Sequence, residues 1–284
     1  MSGWTRRVEE ALGTAVASFA PLAGGCVGEV YRARLSDGRD IVVKVDGRAE
    51  PRLDIEGRML SFLAETGTIP VPEVLHASPR LLAMTLLPGG SRFSPAAEAH
   101  AAELLAALHA IRGAAHGLPW DTLIGGLPQP NAPCASWVDF YRDRRLLPMA
   151  DRALEEGALP RGMHRRLAAF CGRLDGWLEE PEHPSLLHGD VWTTNVLAVG
   201  GRVTGFLDPA VYFGHPEVEL AFITLFHTFG EAFFGAYGAL RPVRPGFFEL
   251  RRDIYTLYPL LVHVRLFGAS YLSGVDNTLR RHGF

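Results

Sequence analysis

The chain has 284 residues and a formal net charge of −3; 48% of its residues are hydrophobic and 21% are charged. These values are typical of a globular protein, and a chain of this length buries roughly 75% of its unfolded surface, in one large domain or in two lobes that share a cleft. They indicate no basic surface for nucleic acid or for an anionic membrane, and no apolar run approaches the ~20 residues of a membrane-spanning helix.

The cysteine content favours a reducing cytoplasm. The chain has three cysteines, Cys26, Cys134 and Cys171, and no Cys-x-x-Cys pair. An odd number without such spacing argues against both a disulfide framework and structural zinc. Acidic residues interrupt the apolar stretch near the N-terminus, which therefore predicts an amphipathic helix rather than an export signal.

The N-terminal third predicts a small five-stranded sheet with one helix packed on it. Alternation of apolar residues indicates strands, and a three- to four-residue spacing indicates helices. In chain order we predict a helix over 4–18, strands over 27–35 and 41–45, a helix over 53–64, and strands over 74–76 and 81–87. Pro88-Gly89-Gly90 then ends the pattern. We place a domain boundary there, with an N-terminal lobe over 1–88 and a C-terminal lobe over 89–284.

Two features of the N-terminal lobe suit the binding of a nucleotide triphosphate. Gly24 and Gly25 precede the first hairpin, where the missing Cβ atoms let backbone N–H groups approach phosphates. Lys44, near the end of the second strand, is the only lysine in the chain. A coding bias toward arginine could leave one lysine by chance. This strand is also where a kinase places its phosphate-binding lysine, for which a compact ammonium suits better than a guanidinium.

Two further groups follow from the order of the elements. Glu56, in the helix after Lys44, is the favoured partner that orients the lysine. Its rivals for this role are Asp54 and Glu50. In the strand that ends at the boundary, the backbone at Thr85 and Leu87 could hydrogen-bond an adenine edge, and this strand would be the hinge.

The C-terminal lobe is predicted to be mainly helical. Helices are expected over 95–112, 136–154 and 161–180, after residue 216, and twice within 246–273. His109 is predicted to be a packed histidine rather than a ligand, and Arg144-Arg145 to belong to a solvated basic patch.

Residues 186–210 carry the groups of a phosphotransferase around one hairpin. Asp190 is followed five residues later by Asn195, and Asp208 ends the second strand. In kinases an Asp takes the proton of the acceptor hydroxyl, an Asn at this spacing holds a metal ion, and a later Asp joins metal to phosphates. The pattern predicts Asp190 as the base and Asn195 and Asp208 as ligands of Mg²⁺, with ATP as phosphoryl donor. Together with the two lobes it predicts an α+β fold of the bilobal protein-kinase-like type.

The sequence resembles the fructosamine/ketosamine kinase family, within the aminoglycoside-phosphotransferase-like kinases. The likeness spans roughly residues 20–275. It lies in GGCVGEVYR (24–32), VVKV (42–45), SWVDFYRDRRLLP (136–148), LLHGDVWTTNVL (186–197), FLDPAVYFGHPEVELAFITLF (206–226) and LYPLLVHVRLFGASY (257–271). His-Gly-Asp…Asn…Asp is common to these small-molecule kinases, whereas the last two segments are far more specific.

The resemblance implies transfer of the ATP γ-phosphoryl group to the 3-hydroxyl of a ketosamine. The product of such a reaction is unstable, so the reaction repairs glycated amines. The resemblance supports the roles given above to Asp190, Asn195, Asp208 and the Lys44–Glu56 pair. Contacts to the acceptor are assigned to Trp192, Tyr212, His215 and Glu217. We expect a monomer or a weak homodimer.

Some positions depart from the family pattern. Thr193-Thr194 stands where Ser-Gly is usual and adds β-branched bulk inside the catalytic loop. Glu219 replaces the Asp expected to brace the backbone of that loop. Thr85 replaces a common Glu, with little effect expected because only backbone atoms meet adenine there. Cys26, within the phosphate loop, is either a redox-sensitive thiolate or a small buried hydrophobe.

Two other functions fit parts of the pattern. A kinase for an aminoglycoside or an amino alcohol uses the same ATP machinery and differs only in the acceptor region. A non-catalytic nucleotide-binding protein has no physical need for the intact set of Lys44, Asp190, Asn195 and Asp208. A protein kinase is disfavoured because the segment after Asp208 is too short for an activation loop.

Overall fold

The computed structural model describes residues 3–22 and 28–284. Its helices are α1 (Gly3–Leu12), α2 (Leu53–Thr66), α3 (Pro95–His109), α4 (Trp137–Tyr141), α5 (Leu147–Glu155), α6 (Arg161–Cys171), α7 (Pro216–Leu225), α8 (Glu231–Leu240), α9 (Arg252–Tyr255), α10 (Leu257–Phe267) and α11 (Leu272–Arg281). Its strands are β1 (Val16–Pro21), β2 (Glu29–Leu35), β3 (Asp40–Val45), β4 (Val74–Ser78), β5 (Leu81–Thr85), β6 (Thr122–Ile124), β7 (Leu127–Gln129), β8 (Ser185–Leu187), β9 (Val196–Val199), β10 (Arg202–Phe206) and β11 (Tyr212–Gly214).

The sheet of the N-terminal lobe has five antiparallel strands in the order β1-β2-β3-β5-β4, which confirms the predicted number. Helix α2 packs closely on this sheet through Gly57. A Cβ atom at this position would lie 2.5 Å from the Cβ atom of Ala77 in β4. Glycine costs a helix interior about 1 kcal/mol relative to alanine, and here the close approach of helix and sheet requires it.

The predicted helix over 4–18 is wrong in its second half. Helix α1 ends at Leu12, and Gly13 has a φ of 67°, which glycine adopts at little cost. Val16–Pro21 instead forms β1, one of the two edge strands, which pairs with β2. This pairing is a contact with a strand further along the chain, so the local apolar pattern could not reveal it. The predicted phosphate-loop residues Gly24 and Gly25, and Cys26 beside them, lie outside the described residues.

The C-terminal lobe is mainly helical, as predicted, around one large cluster of buried apolar side chains. The predicted helix over 136–154 is α4 and α5 joined by a π-helical segment, Arg142–Leu146. The predicted helix over 161–180 ends at Cys171. The region over 113–133, which lies between two of the predicted helices, contains the short β6–β7 hairpin. Among the described residues, no helix is long and apolar enough to cross a membrane.

Arg145 is fully buried, so its assignment to a solvated basic patch is wrong. Its guanidinium lies 4.0 Å from the ring centre of Tyr212 and 4.6 Å from that of Phe140. It donates hydrogen bonds to the carbonyl of Pro130 at 2.6 Å and to Oδ1 of Asn131 at 2.7 Å. Aromatic faces and these acceptors replace the water that an arginine side chain normally keeps.

The chain between the lobes is attached to the β9–β10 hairpin. Gly90 and Ala198 exchange two backbone hydrogen bonds, of 3.1 and 2.9 Å. Gly89 has a φ of 124°, and a Cβ atom there would lie 2.8 Å from the carbonyl oxygen of Ala198. Glycine is therefore needed at 89 for both conformation and space, and the connection holds the sheet against the hairpin that follows the His188-Gly189-Asp190 turn.

Candidate active site

A cleft lies between the sheet and the helical lobe and contains most of the predicted catalytic groups. From the N-terminal lobe it is lined by Lys44 in β3 and Glu56 in α2. From the C-terminal lobe it is lined by Asp190, Asn195, Trp192, Asp208, Phe222, His263 and Phe267, among others. We call this space the catalytic cleft.

Lys44 joins the two lobes by contacting a carboxylate from each. Its Nζ atom lies 2.6 Å from Oε1 of Glu56 and 2.5 Å from Oδ1 of Asp208. Burial disfavours the charged ammonium, but the charges of Asp208 and Glu56 outweigh it, so the pKa of Lys44 lies above its ordinary value. The pKa of Glu56 is raised by burial and by Asp208, against the opposing effect of Lys44. A charged ammonium is thus held at the point where the lobes meet.

Asp208 has a left-handed backbone conformation, with a φ of 51°. Such a φ is uncommon outside glycine, and residues held in it cluster at functional sites. Hydrogen bonds on both sides fix the turn: the Leu207 N–H donates to the Asn195 carbonyl at 2.8 Å, and the Ala210 N–H to the His188 carbonyl at 2.7 Å. The turn therefore fixes the Asp208 carboxylate relative to the loop that carries Asp190.

Asn195 orients the Asp190 carboxylate. Its Nδ2 atom donates to Oδ2 of Asp190 at 2.9 Å and to the Asp190 carbonyl at 3.1 Å. The pKa of Asp190 is raised well above its ordinary value, first by burial and then by the charge of Asp208, while the hydrogen bond from Asn195 opposes the shift. A carboxyl group with a raised pKa and a fixed orientation has the properties of a general base.

The oxygen atoms left over in this arrangement fit a magnesium ion. The Asn195 amide directs its nitrogen to Asp190, and its Oδ1 accepts only one long hydrogen bond, of 3.4 Å, from Thr194 Oγ1. Lys44 occupies only one oxygen of Asp208. Magnesium prefers such hard oxygen ligands and keeps several waters, so two protein ligands suffice. In the part of the chain that the structure describes, no group of three or more His, Cys, Asp or Glu side chains could hold a metal by itself.

The loop between β8 and Asn195 is braced from behind by Glu219 of α7. Oε1 of this buried carboxylate accepts the N–H of Gly189 at 2.5 Å, and Oε2 accepts the N–H of His188 at 3.3 Å. Gly189 has a φ of 86°, and a Cβ atom there would lie 2.1 Å from the carbonyl oxygen of Ala210. The predicted brace is confirmed, with Glu219 reaching both amides despite its extra methylene.

His109 and Tyr237 lie behind Glu219, and the three side chains form a buried chain of hydrogen bonds. Nε2 of His109 lies 2.8 Å from Oε2 of Glu219, and Nδ1 lies 2.7 Å from the hydroxyl of Tyr237. Burial opposes ionisation of Glu219, but hydrogen bonding and charge from His109 outweigh it and lower the pKa of this carboxyl. Because an ionised carboxylate only accepts, Nε2 of His109 carries a proton and donates it to Glu219. His109 is thus a packed histidine, as predicted.

Of the three candidate partners of Lys44, the structure selects Glu56. Glu50 instead pairs with Arg52 at 2.7 Å, and Asp54 is exposed. The two predicted hinge residues, Thr85 and Leu87, differ in whether their backbone groups are free to bind an adenine. The Thr85 N–H donates to the Glu73 carbonyl at 3.0 Å and is not available to an adenine, whereas no backbone hydrogen bond among the described residues uses Leu87.

The structure does not bring Tyr212, His215 and Glu217 into the catalytic cleft, and this corrects their assignment to the acceptor. Tyr212 is buried beneath the guanidinium of Arg145. His215 is buried and caps α7 by accepting the N–H of Glu217 at 3.1 Å. Glu217 is buried and forms a bidentate ion pair with Arg251, with N–O distances of 2.6 and 2.7 Å. These side chains already have partners inside the protein and do not line the catalytic cleft.

The cleft also contains two aromatic groups of α10 that were not assigned individually from the sequence. His263 and Phe267, one turn apart on α10, line it together with Trp192. The ring centre of His263 lies 6.3 Å from that of Trp192 and 5.2 Å from that of Phe267. Nδ1 of His263 lies 2.8 Å from the Pro259 carbonyl, which requires a proton on Nδ1 and leaves Nε2 as an acceptor. Their i, i+4 spacing was visible in the sequence, but such spacing is also typical of a core helix.

Comparison with known proteins places this site in a family. The sequence matches the fructosamine kinase family over residues 2–282. A protein-ribulosamine 3-kinase of rice is 31% identical over 287 residues, covering 95% of this chain and 81% of the relative. The crystal structure of a Thermobifida fusca protein assigned as a fructosamine-3-kinase superposes with a TM-score of 0.87 at 34% identity, covering 99% of this chain and 98% of that one.

The same fold extends to a more distant group of enzymes. A thermostable variant of an aminoglycoside phosphotransferase, crystallised with ADP and hygromycin B, superposes with a TM-score of 0.68 at 20% identity, covering 99% of both chains. This likeness confirms the predicted α+β, bilobal kinase-like fold. From the match over nearly its whole length, the chain belongs to the fructosamine kinase family.

Proposed function

We propose that this protein is an ATP-dependent kinase that phosphorylates the 3-hydroxyl group of a ketosamine. The observation that carries the proposal is the Lys44 ammonium held between Glu56 and Asp208, in the same cleft as the hydrogen-bonded Asp190–Asn195 pair. Phosphoryl transfer needs mainly positioning and the neutralisation of charge. This arrangement supplies a cation, metal-binding oxygens and a base in one cleft.

Each group has a distinct role in the proposed reaction. Lys44, kept charged by its two carboxylates, holds the α- and β-phosphates of ATP. Asn195 Oδ1 and the second oxygen of Asp208 would hold Mg²⁺, which neutralises charge on the phosphates when it is bound. Leu87 offers its free backbone groups to the adenine edge. The connection over 86–90 is then the hinge, and residues 1–88 and 89–284 are the two lobes.

Asp190 orients the acceptor and takes its proton. The Asn195 amide holds one carboxylate oxygen, which leaves the other for the substrate hydroxyl. Burial and the neighbouring Asp208 raise the pKa of Asp190, so its carboxylate binds a proton more readily than an exposed one. Positioned proton transfer of this kind contributes about 10²–10⁴-fold to a rate.

Trp192, His263 and Phe267 form the acceptor end of the cleft. Trp192 follows the base by two residues, and its ring also contacts Phe226, with 5.6 Å between ring centres. Aromatic faces bind both the C–H surface of a sugar and a substituted ammonium group. Nε2 of His263 adds a hydrogen-bond acceptor. This combination suits a ketosamine, which joins a polar sugar to a cationic amine.

The sugar-amine class of the substrate agrees with the names of the relatives, a ribulosamine 3-kinase and a fructosamine-3-kinase. Both substrates are ketosamines with a hydroxyl at carbon 3. The phosphorylated product is unstable and releases the amine, so the proposed role is the repair of glycated amines. A cytoplasmic location and a monomeric or weakly dimeric state remain predictions.

An ATP-consumption assay with magnesium tests the proposal. The substrates are a fructosamine, a ribulosamine, the corresponding free sugars and an aminoglycoside. We expect turnover only with the two ketosamines, and a loss of about 10²-fold or more in Asp190→Asn. Preferred phosphorylation of the aminoglycoside would overturn the substrate class. Near-full activity of Asp190→Asn would overturn the role of the base.

A further inference from the structure

A second cavity, on the α8 side of the C-terminal lobe, has no role in the proposed reaction. It has a volume of about 330 Å³ and shares no lining residue with the catalytic cleft. Its wall includes three arginines, Arg112, Arg241 and Arg244, together with His183 and Ser185. We call it the arginine cavity. A space of this size accommodates a small molecule.

The cavity carries an excess of positive charge. Two of its arginines form ion pairs with exposed carboxylates: Arg112 lies 3.6 Å from Glu182, which also lines the cavity, and Arg244 lies 3.0 Å from Glu179. Arg244 also donates to the Glu180 carbonyl at 3.1 Å. Arg241 makes no ion pair within the described part of the chain. The carboxylate of Glu217, which also faces the cavity, is already neutralised by Arg251. Surface pairs of this kind contribute about 0–1 kcal/mol and are readily exchanged for another anion.

The arginine charges also act on the two histidines in the wall of the cavity. The pKa of His183 is lowered first by burial and then by the charges of Arg112 and Arg241. The pKa of His215 is lowered to about 3, by burial and then by Arg244 and Arg251. Both rings are therefore neutral at physiological pH and add no charge of their own to the cavity. Arginine side chains that converge on one space are typical of phosphate recognition.

An unpartnered buried hydroxyl is an independent sign that something occupies this cavity. Ser185 of β8 is fully buried, and its Oγ atom has no hydrogen-bond partner among the described residues. Leaving a buried polar group without a partner costs about 1–3 kcal/mol, so such groups usually mark a water, an ion or a ligand. A hydroxyl and several guanidinium groups are the donors that an oxyanion needs.

We propose that the arginine cavity is a binding site for the phosphate group of a small anionic metabolite. The guanidinium groups of Arg112, Arg241 and Arg244 take the phosphate oxygens, and the Ser185 hydroxyl lies at the base. The site is separate from the catalytic cleft, so a ligand there leaves ATP and acceptor free to bind. The proposal does not depend on which acceptor the enzyme uses.

Calorimetric titration of the full chain with inorganic phosphate tests the site, at constant ionic strength and with a non-hydrolysable ATP analogue filling the catalytic cleft. Arg112→Gln/Arg241→Gln should bind phosphate about tenfold or more weakly than the parent. Arg161→Gln/Arg173→Gln, which removes the same charge from exposed positions elsewhere, should bind like the parent. Equal binding by the two double variants, or no binding by the parent, would overturn the proposal and leave the cavity to water.

Two further measurements guard against indirect effects. Ser185→Ala should weaken phosphate binding without lowering the melting temperature in the absence of phosphate, because the hydroxyl has no partner to lose. Acetate at the same ionic strength should bind much more weakly than phosphate. Acetate binding as tight as that of phosphate would show a general positive surface and would contradict a phosphate site.

Discussion

The backbone N–H of Gly189 donates to Oε1 of Glu219 at 2.5 Å, and this contact ties the catalytic loop to helix α7. The glycine is required there by its φ of 86° and by the adjacent Ala210 carbonyl. The carboxylate is required because it accepts two amides of the loop while a buried histidine donates to it from behind. The position of Asp190, the next residue, therefore depends on a side chain that does not contact the substrate.

Replacing Glu219 should reduce turnover by loosening this loop. In Glu219→Gln the amide nitrogen cannot accept, so at least one loop N–H or the His109 proton is left unpaired. We expect kcat to fall about 10- to 100-fold and the free energy of unfolding to fall by about 1–3 kcal/mol. Steady-state kinetics and urea denaturation measure the two effects.

Glu217→Gln is the matched control for Glu219→Gln. Both carboxylates are buried on α7, but Glu217 pairs with Arg251 and does not touch the catalytic loop. The control should lose at least as much stability as Glu219→Gln and keep its kcat within about twofold of the parent. An equal loss of kcat in the two variants would mean that Glu219 acts through stability alone.

The groups to which we assign catalytic roles were predictable because the proposed chemistry fixes their spacing in the chain. Asp190, Asn195 and Asp208 lie on one hairpin, and Lys44 lies on a strand whose place in the sheet follows from the order of the elements. The acceptor side was less predictable. Tyr212 and Glu217 lie in a family motif, yet the sequence does not tell which side chains of that motif face the cleft and which face Arg145 or Arg251.

Neither an arginine nor a neutral side chain should replace Lys44 without a loss of activity. One Nζ atom contacts Glu56 and Asp208 at 2.6 and 2.5 Å, a geometry that a planar guanidinium on a longer side chain cannot reproduce. Both Lys44→Met and Lys44→Arg should lower kcat/KM for ATP by about 10²-fold or more. Activity of Lys44→Arg close to the parent would show that only the charge matters.

The partner of Lys44 gives a second comparison within α2. Glu56→Gln removes the carboxylate that orients the lysine, whereas Asp54→Asn removes an exposed carboxylate two residues earlier. We expect about a tenfold loss of kcat/KM for ATP in Glu56→Gln and no loss in Asp54→Asn. A similar loss in both variants would point to the net charge of the helix rather than to the Lys44 contact.

The raised pKa of Asp190 predicts how activity and stability depend on pH. Burial and Asp208 raise this pKa in the folded enzyme, so the acid limb of kcat/KM should lie above the ordinary carboxyl range of about 4. The raised pKa also lowers the free energy of unfolding as the pH rises from the pKa of Asp190 in the unfolded chain through its pKa in the folded enzyme. The reason is that the folded state keeps this proton up to a higher pH.

Asp190→Asn should therefore gain stability relative to the parent as pH rises through that window. Its melting temperature should match the parent at acidic pH and exceed it at neutral pH, while its turnover is lost. Melting curves of both proteins across this range measure the difference. A constant difference at all pH values would show that Asp190 keeps an ordinary pKa.

The limits of prediction in the fold follow from contacts between distant residues. Helix α2 and the hairpin β2–β3 have strong local patterns, and the structure confirms both. Strand β1 exists because its backbone pairs with β2. The burial of Arg145 depends on Phe140, one turn earlier, and on Tyr212, far along the chain. In both cases the structure depends on a contact with a residue far away in the sequence, and a local sequence pattern does not describe such contacts.

The acceptor end of the cleft should control the KM for the ketosamine without affecting ATP. Trp192 and His263 line the cleft, and the buried Tyr212 does not. Trp192→Leu removes the aromatic face, and His263→Phe removes the Nε2 acceptor while keeping a ring. Each should raise the KM for a fructosamine about 10-fold or more, which corresponds to about 1.4 kcal/mol of binding. The KM for ATP should stay within about twofold. Tyr212→Phe, which keeps the ring beneath Arg145, should change neither KM. A raised fructosamine KM in Tyr212→Phe, with unchanged values in the two cleft variants, would place the acceptor elsewhere.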